Sequence, residues 1–193
     1  MKILALLCVA ACGGDTVSST ETAQRAYLGL DKSVGKAITL GFDGFNSATS
    51  ANITPQMVNG DVGGVLTVTG QVDQGMSANK GMRLNSQMVA YNDGTVMLDG
   101  KTVNITYSTD SDITAQPSLQ MMLMGIPTGT ISGTLQGTYH MTGDLKGDVT
   151  LDLMFNGMLM QGPAGSVVRV PGSTSITGTA TSGSGTYDVT VML

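Results

Sequence analysis

The chain has 193 residues, of which 41% are hydrophobic and only 12% charged, with a formal net charge of -5. This composition excludes a disordered polyelectrolyte, because such chains carry too few apolar residues to build a core. The Lys and Arg residues are scattered singly, which excludes a basic nucleic-acid interface. The length fits one domain with a substantial hydrophobic core.

The first 11 residues have the pattern of a bacterial signal peptide. Lys2 supplies the positive charge, and the apolar run 3–9 is too short to remain as a membrane-spanning anchor. The motif Val9–Cys12 (VAAC) has an aliphatic residue and two small residues before a cysteine. It resembles the lipobox of bacterial lipoproteins. The resemblance is confined to this N-terminal stretch and implies cleavage after Ala11 and lipidation of Cys12.

The lipobox has consequences for the mature chain. Cys8 leaves with the signal peptide, so an acylated Cys12 leaves no thiol for a disulfide, a nucleophile or a metal site. Gly13 stands where inner-membrane lipoproteins of enterobacteria carry Asp, so the resemblance favours the outer membrane over the inner membrane. Residues 12–17 are predicted to be the lipidated cysteine and a short tether. The alternative is an ordinary secretory signal cleaved near Ala11.

The segment Ser18–Ala48 is the longest stretch with helical periodicity. Its apolar residues fall on one stripe centred on Leu30, as expected of a helix packed on a core. Arg25 falls on the opposite, polar face. Ser18 followed by Glu21 fits a capping box at the N-terminus. The sequence predicts one amphipathic helix between the membrane anchor and the rest of a single domain, 18–193.

Glycines are the weak point of this predicted helix. Gly29, Gly35, Gly41 and Gly44 each cost about 1 kcal/mol relative to Ala in a helix interior. An alternative is a break near Gly41 that leaves a shorter helix followed by a loop. The long helix is favoured, because Gly41 and Gly44 lie on the apolar stripe, where they would allow a strand to approach closely.

Residues beyond the helix alternate with the period of β-strands, separated by turn signals such as Asp99-Gly100 and Asn156-Gly157. A break in the alternation near Val89 predicts a bulge. Segments 49–55 and 59–61 are predicted as turns. The predicted strands are 64–73, 80–91, 95–98, 101–108, 118–126, 129–141, 145–156, 166–170, 174–180 and 186–193.

These patterns define the expected fold. It is α+β but mostly β: a long antiparallel meander of nine or ten strands, forming a strongly curved sheet or incomplete barrel packed on one N-terminal amphipathic helix. One face of the sheet is apolar and the other is rich in Thr. Strand 118–126 is apolar on both faces, which predicts that both are covered.

Residues capable of catalysis are scarce. His140 is the only histidine, so a zinc site built on several His ligands is not expected. Asp110-Ser111-Asp112 resembles part of a calcium loop but lacks its glycine and distal Glu. Asp148 and Asp152 would lie about 13 Å apart on one strand, which is too far for a glycosidase pair. The sequence predicts a non-enzymatic protein without a cofactor or a resident metal.

Methionine is unusually frequent, with 14 residues. Thioethers bind Cu(I), so a copper site is one possible use. Flexible filling of a core, or lining of an apolar cavity, is the favoured use. The residues predicted to line an apolar ligand are Met121, Met122, Met124, Leu151, Leu153 and Phe155.

The favoured function is that of a lipid-anchored binding or structural module in the cell envelope. Its expected partners are the membrane, through the lipid on Cys12, and either an apolar small molecule or another envelope protein, with no nucleic acid. An apolar ligand would be carried between the helix and the sheet. An outer-membrane β-barrel protein is the alternative, and an enzyme is disfavoured. If the helix fills the concavity of the sheet, the protein is expected to be structural or to bind partners on its outside.

Overall fold

The computed structural model describes residues 15–193, so the predicted signal peptide and Cys12 lie outside the described residues. The domain consists of one long helix and eleven strands, with a single short 3-10 helix. In chain order the elements are α1 (Thr20–Ser47), β1 (Asn52–Asn59), β2 (Gly63–Val72), β3 (Lys80–Asn92), β4 (Thr95–Leu98), β5 (Lys101–Ser108), β6 (Ser118–Met124), β7 (Thr130–Gly143), β8 (Gly147–Gln161), the 3-10 helix (Pro163–Gly165), β9 (Val167–Arg169), β10 (Ser175–Ser182) and β11 (Gly185–Met192).

All eleven strands belong to one antiparallel sheet. Its main path runs β1-β2-β3-β5-β7-β8-β10-β11, with β6 also bridging β3 and β7. The short strands β4 and β9 pair with β5 and β8, respectively. The predicted mostly-β fold, with a curved antiparallel sheet on one N-terminal helix, is confirmed. The predicted bulge near Val89 is also present, since the β2–β3 register shifts there and Ala90 has a φ of 48°.

Strand β1 lies where turns were predicted around Pro55. Proline cannot donate a hydrogen bond within a sheet, so it is tolerated only at edges and bulges. Both conditions hold here, because β1 pairs with β2 alone and its register shifts between Ile53 and Gln56. The edge position therefore accommodates a residue that would disrupt a central strand.

Helix α1 begins one residue later than predicted. Ser19 is the N-cap: its hydroxyl accepts the Thr22 N–H at 3.2 Å, and the Thr22 hydroxyl accepts the Ser19 N–H at 3.0 Å. The predicted cap formed by Ser18 and Glu21 is therefore wrong. Glu21 instead pairs with Arg25 one turn further along the helix, as residues four apart on a helix do.

Arg25 was predicted on the solvent face, but it is only 2% exposed. The β4–β5 hairpin covers this side of the helix, and the guanidinium donates to the carbonyl of Leu98 at 3.2 Å. The helical periodicity could not show this, because the covering hairpin lies more than 70 residues away in sequence.

The glycines of α1 do not break it. A Cβ on Gly44 would lie 2.7 Å from the Cβ of Ile53, and a Cβ on Gly41 would lie 3.0 Å from the sulfur of Met82. Both glycines therefore allow strands to approach the helix, as predicted. A Cβ on Gly29 would collide with the hydroxyl of Tyr107, so a third glycine also serves close packing.

The helix fills the concave side of the sheet. It contacts both terminal strands of the path, β1 and β11, and also β2, β3, β4, β5 and β9. The two edge strands do not pair with each other, and the helix lies between them. Leu30 and Ile38 are at most 1% exposed, and the fully buried Tyr107 donates to the carbonyl of Ala26 at 2.8 Å. The middle of the domain is consequently a packed core.

The outer face of β6 is uncovered, contrary to the expectation of cover on both sides. Met122 is 46% exposed and Met124 is 51% exposed, whereas Leu123 between them is buried. The helix occupies the inner side of the sheet, and none of the described residues forms a second layer outside it. Methionine tolerates this position because its flexible thioether adapts to irregular surfaces.

The segment before α1 joins the fold earlier than predicted. Asp15 forms a parallel bridge with Leu145, and its N–H donates to the carbonyl of Asp144 at 2.9 Å. Val17 is 1% exposed, and its carbonyl accepts the hydroxyl of Ser182 at 2.6 Å. Residues 15–17, which were predicted as part of a tether, thus belong to the folded domain. Among residues 15–193, no helix combines the length and the apolar character needed to cross a membrane.

Candidate functional site

One stripe of α1 remains uncovered where the helix runs between β1 and β9. Thr39 is exposed on this stripe and borders three clefts. The cleft at the C-terminal end of the helix has a volume of about 820 Å³, larger than the roughly 460 Å³ and 320 Å³ of the other two. We call it the helix-end cleft. Its lining residues are Thr39, Phe42, Asp43, Phe45, Asn46, Met76, Ser77, Ala78, Lys80, Ile126, Pro127, Pro163, Gly165, Ser166 and Val167.

The helix-end cleft forms where strands give way to loops. The last turns of α1 provide one wall, and the β2–β3, β6–β7 and β8–β9 connections provide the others. The first two connections are tied together, since the N–H of Ile126 donates to the carbonyl of Ala78 and that of Gly125 to the side chain of Asn79, both at 2.9 Å. These hydrogen bonds hold the walls in place without a ligand. The cleft is therefore preformed, as most small-molecule sites are.

The lining is mostly apolar and aromatic. Phe42 and Phe45 are half-buried on the helix, Ile126 is half-buried on the opposite loop, and Val167 is 7% exposed at the base of β9. The volume lies within the range of about 300–1,000 Å³ that is typical of pockets for small molecules. An apolar ligand placed here would contact the buried Val167 and remove the half-buried Phe42, Phe45 and Ile126 from water, which favours binding.

Lys80 is the buried charge of the cleft. It is 4% exposed, and its ammonium lies 4.3 Å from the centre of the Phe45 ring. The same ammonium donates to the carbonyl of Asp73 at 3.3 Å and to that of Gly75. Among residues 15–193, no carboxylate oxygen lies within 4.0 Å of it.

The acidic side chain at the start of the β2–β3 loop, Asp73, has hydrogen-bond partners other than Lys80. Asp73 pairs with Arg83 at 2.8 Å and accepts the N–H of Gly81 at 3.1 Å. The hydrogen bond from Arg83 is the main reason that the pKa of Asp73 lies below its usual value. Asp43, the other charged residue lining the helix-end cleft, is exposed to solvent. The buried wall of the cleft is thus positive.

The cleft of about 460 Å³ is lined by an ion pair between Arg169 and Asp31. The two terminal nitrogens of the Arg169 guanidinium, Nη1 and Nη2, each donate to one carboxylate oxygen of Asp31 at 2.8 Å. The Tyr27 hydroxyl donates to the same carboxylate at 2.8 Å. Burial, followed by the charge of Asp31, raises the pKa of Tyr27. These groups satisfy one another, so the cluster fastens β9 to the helix rather than offering free hydrogen-bonding groups to a ligand.

The six residues predicted to line an apolar ligand do not lie on one surface. Met121, Leu151, Leu153 and Phe155 are at most 5% exposed on the inner face of the sheet, where they pack in the core. Met122 and Met124 lie on the outer face. None of the six lines the helix-end cleft. Apolar character in alternating positions identified strand residues correctly but could not show which of them border open space.

The residues capable of catalysis are exposed, and His140 and Asp112 lie in different parts of the domain. His140 Nδ1 lies 2.7 Å from a carboxylate oxygen of Asp148, its cross-strand neighbour on the outer face of the sheet. Asp112 accepts the N–H and the hydroxyl of Thr114 at 2.9 and 2.8 Å, and these hydrogen bonds lower its pKa. Within residues 15–193, no group of three or more His, Cys, Asp or Glu side chains is arranged to hold a metal ion.

Comparison of the chain with protein-family models, with characterised proteins and with solved structures gave no significant match. The function therefore has to be argued from the geometry of the domain and from its sequence.

Proposed function

We propose that this protein is a lipid-anchored, non-enzymatic binding module of the bacterial cell envelope whose ligand is an apolar small molecule held in the helix-end cleft. The observation that carries the proposal is the contrast between a filled sheet interior and a preformed cleft of about 820 Å³ lined by Phe42, Phe45, Ile126 and Val167. The ligand site lies at the end of the helix, not between the helix and the centre of the sheet.

The position of the cleft suits a protein anchored at its N-terminus. Only two residues separate Cys12 from Asp15, and a chain of that length reaches at most about 11 Å. Asp15 is held beside the N-terminal end of α1, whereas the cleft lies at the other end of a 28-residue helix, which is about 42 Å long. A domain attached through Cys12 would keep the cleft turned away from the membrane surface.

Binding can be tested with a neutral apolar fluorophore, N-phenyl-naphthylamine, titrated against the purified mature protein. We expect saturable binding to one site. Ala78→Trp places an indole in the cleft and should weaken binding by about tenfold, which corresponds to about 1.4 kcal/mol. Ala115→Trp is the matched control, because Ala115 is also an exposed loop alanine but does not line the cleft. Non-saturable binding, or unchanged binding to Ala78→Trp, contradicts the proposal.

The anchor can be tested separately. Intact-mass spectrometry of the protein purified from a bacterial membrane fraction should show a chain that starts at Cys12 and carries acyl groups. The Cys12→Ser variant should lose the acyl mass and leave the membrane fraction. A mature chain that starts elsewhere, or an unmodified Cys12, contradicts the lipoprotein assignment without affecting the cleft.

A further inference from the structure

We infer that the ligand of the helix-end cleft is an apolar molecule with a single carboxylate, and that Lys80 binds this carboxylate. The inference rests on the proposed function, because it names the ligand class of the same cleft. Its starting point is a lysine that is 4% exposed, lines the cleft and has no carboxylate of residues 15–193 within 4.0 Å of its ammonium.

Lys80 is incompletely compensated by the protein. Buried charges are normally paired, since removing a charge from water is costly. An ammonium has three N–H donors, and two of them serve the carbonyls of Asp73 and Gly75. The Phe45 ring contributes a weaker cation–π attraction. These neutral partners orient the ammonium without neutralising it. The carboxylate of Asp73, whose pKa the charge of Lys80 helps to lower, offsets part of that charge but makes no contact with the ammonium within 4.0 Å.

The end of the helix provides only part of the missing negative charge. Phe45 belongs to the last turn of α1, which carries no basic residue of its own. The C-terminus of a helix is equivalent to about half a negative charge. Lys80 is therefore tolerated there without a ligand, while a full negative charge entering the cleft would still be attracted.

The single buried cation also defines the kind of anion. A carboxylate carries one negative charge and can accept one charge-assisted hydrogen bond from the remaining N–H of Lys80. A phosphate group carries more charge, and no second basic residue lines the helix-end cleft. Once the carboxylate lies beside Lys80, the apolar part of the ligand faces Phe42, Ile126 and Val167.

The test compares three probes built on an eight-carbon chain, which in octanoate includes the carboxyl carbon: octanoate, octanol and octyltrimethylammonium. Isothermal titration calorimetry with the mature wild-type protein should give an affinity for octanoate about tenfold higher than for octanol, the ratio expected of one charge-assisted contact. The cationic probe should bind more weakly than octanol. This series needs no variant, so a folding defect cannot obscure it.

Variants then assign the preference to one residue. Lys80→Met should abolish the preference, so that octanoate and octanol bind to that variant with equal affinity, and Lys80→Arg should keep the preference. Asp43→Asn is the matched charge control, since Asp43 is the exposed charge of the cleft and its screened field should change the ratio by about twofold or less. Equal wild-type binding of octanoate and octanol overturns the inference but leaves the proposed function standing. Absence of binding by all three probes overturns both.

Discussion

The two halves of helix α1 lie in contrasting surroundings. Around Leu30 the helix is enclosed by the inner face of the sheet, and Tyr107 is bonded directly to its backbone. Around Phe42 and Phe45 one side of the helix still packs on β1 and β3 through Gly44 and Gly41, but on the other side three loops surround an open cleft. The same amphipathic periodicity runs through both halves. Helical periodicity therefore predicts which residues face inward, whereas the length of the strands determines whether the inward space is filled.

Shortening a side chain should lower the free energy of unfolding more in the enclosed half of α1, around Leu30, than at an exposed position of the domain. Leu30→Ala removes a side chain with 0% exposure in the middle of the packed interior and should lower the free energy of unfolding by about 2–5 kcal/mol. Urea denaturation measures this change. Met154→Ala is the control, because Met154 is 61% exposed on the outer face and should change stability by about 0.5 kcal/mol or less. Similar losses for the two variants would mean that the interior is not tightly packed.

Two glycines of the same helix should respond in opposite directions. Gly44→Ala forces a methyl group against Ile53 and should destabilise the fold by about 1–3 kcal/mol, despite the better helix propensity of alanine. Gly35 has nothing closer than an Arg169 nitrogen at 3.9 Å, so Gly35→Ala should stabilise by about 0.4–1 kcal/mol. Thermal unfolding of both variants tests the prediction, and a gain in melting temperature for Gly44→Ala would refute close packing at that turn.

The buried phenols should make the enclosed half sensitive to high pH. Burial raises the pKa of Tyr107 and of Tyr139 above the usual value near 10. Their contribution is fully present below pH ~10 and is lost as the pH rises further, because the unfolded chain releases these protons first. Each tyrosine should lower stability by about 1.4 kcal/mol per pH unit in that range. In Tyr107→Phe the alkaline slope should be shallower by that amount, and urea titrations that give parallel slopes would contradict the assignment.

The open half should affect binding more than stability. Phe42 is half-buried, so Phe42→Ala should cost only about 1 kcal/mol of stability while weakening the binding of N-phenyl-naphthylamine by about tenfold. Paired urea and fluorescence titrations separate the two effects. Loss of several kcal/mol without a loss of affinity would place Phe42 in the core and not in a binding site.

Much of the fold could be read from local patterns. The 3.6-residue period of α1, the alternation of β5 to β8 and most glycine-containing turns depend on neighbouring residues only, so the helix and most strands appear where they were predicted. The turn predicted at Asn156-Gly157 is wrong, because both residues lie inside β8 and pair with β7. The function of Gly41 and Gly44 was also predicted, because a glycine on an apolar helical stripe has few other uses.

The candidate site could not be predicted in this way. Lys80 begins strand β3 after a polar loop, and nothing in the neighbouring sequence indicates that it is buried. Its burial depends on the end of the helix and on the β2–β3 loop that folds around it. The predicted lining failed as a group for the same reason, since residues such as Leu153 are buried in the packed core and border no open space. The apolar residues in the last turns of α1 are visible in the sequence, but they do not show which other segments surround the cleft.

The sequence by itself determined the helix, most of the strands and the positions where backbones approach closely, because these depend on side-chain period and on the absence of a Cβ. The tertiary structure decided the burial of Arg25, the strand at Pro55 and the helix-end cleft. Each of these arises where segments far apart in the chain meet, and the order and length of the strands bring them together.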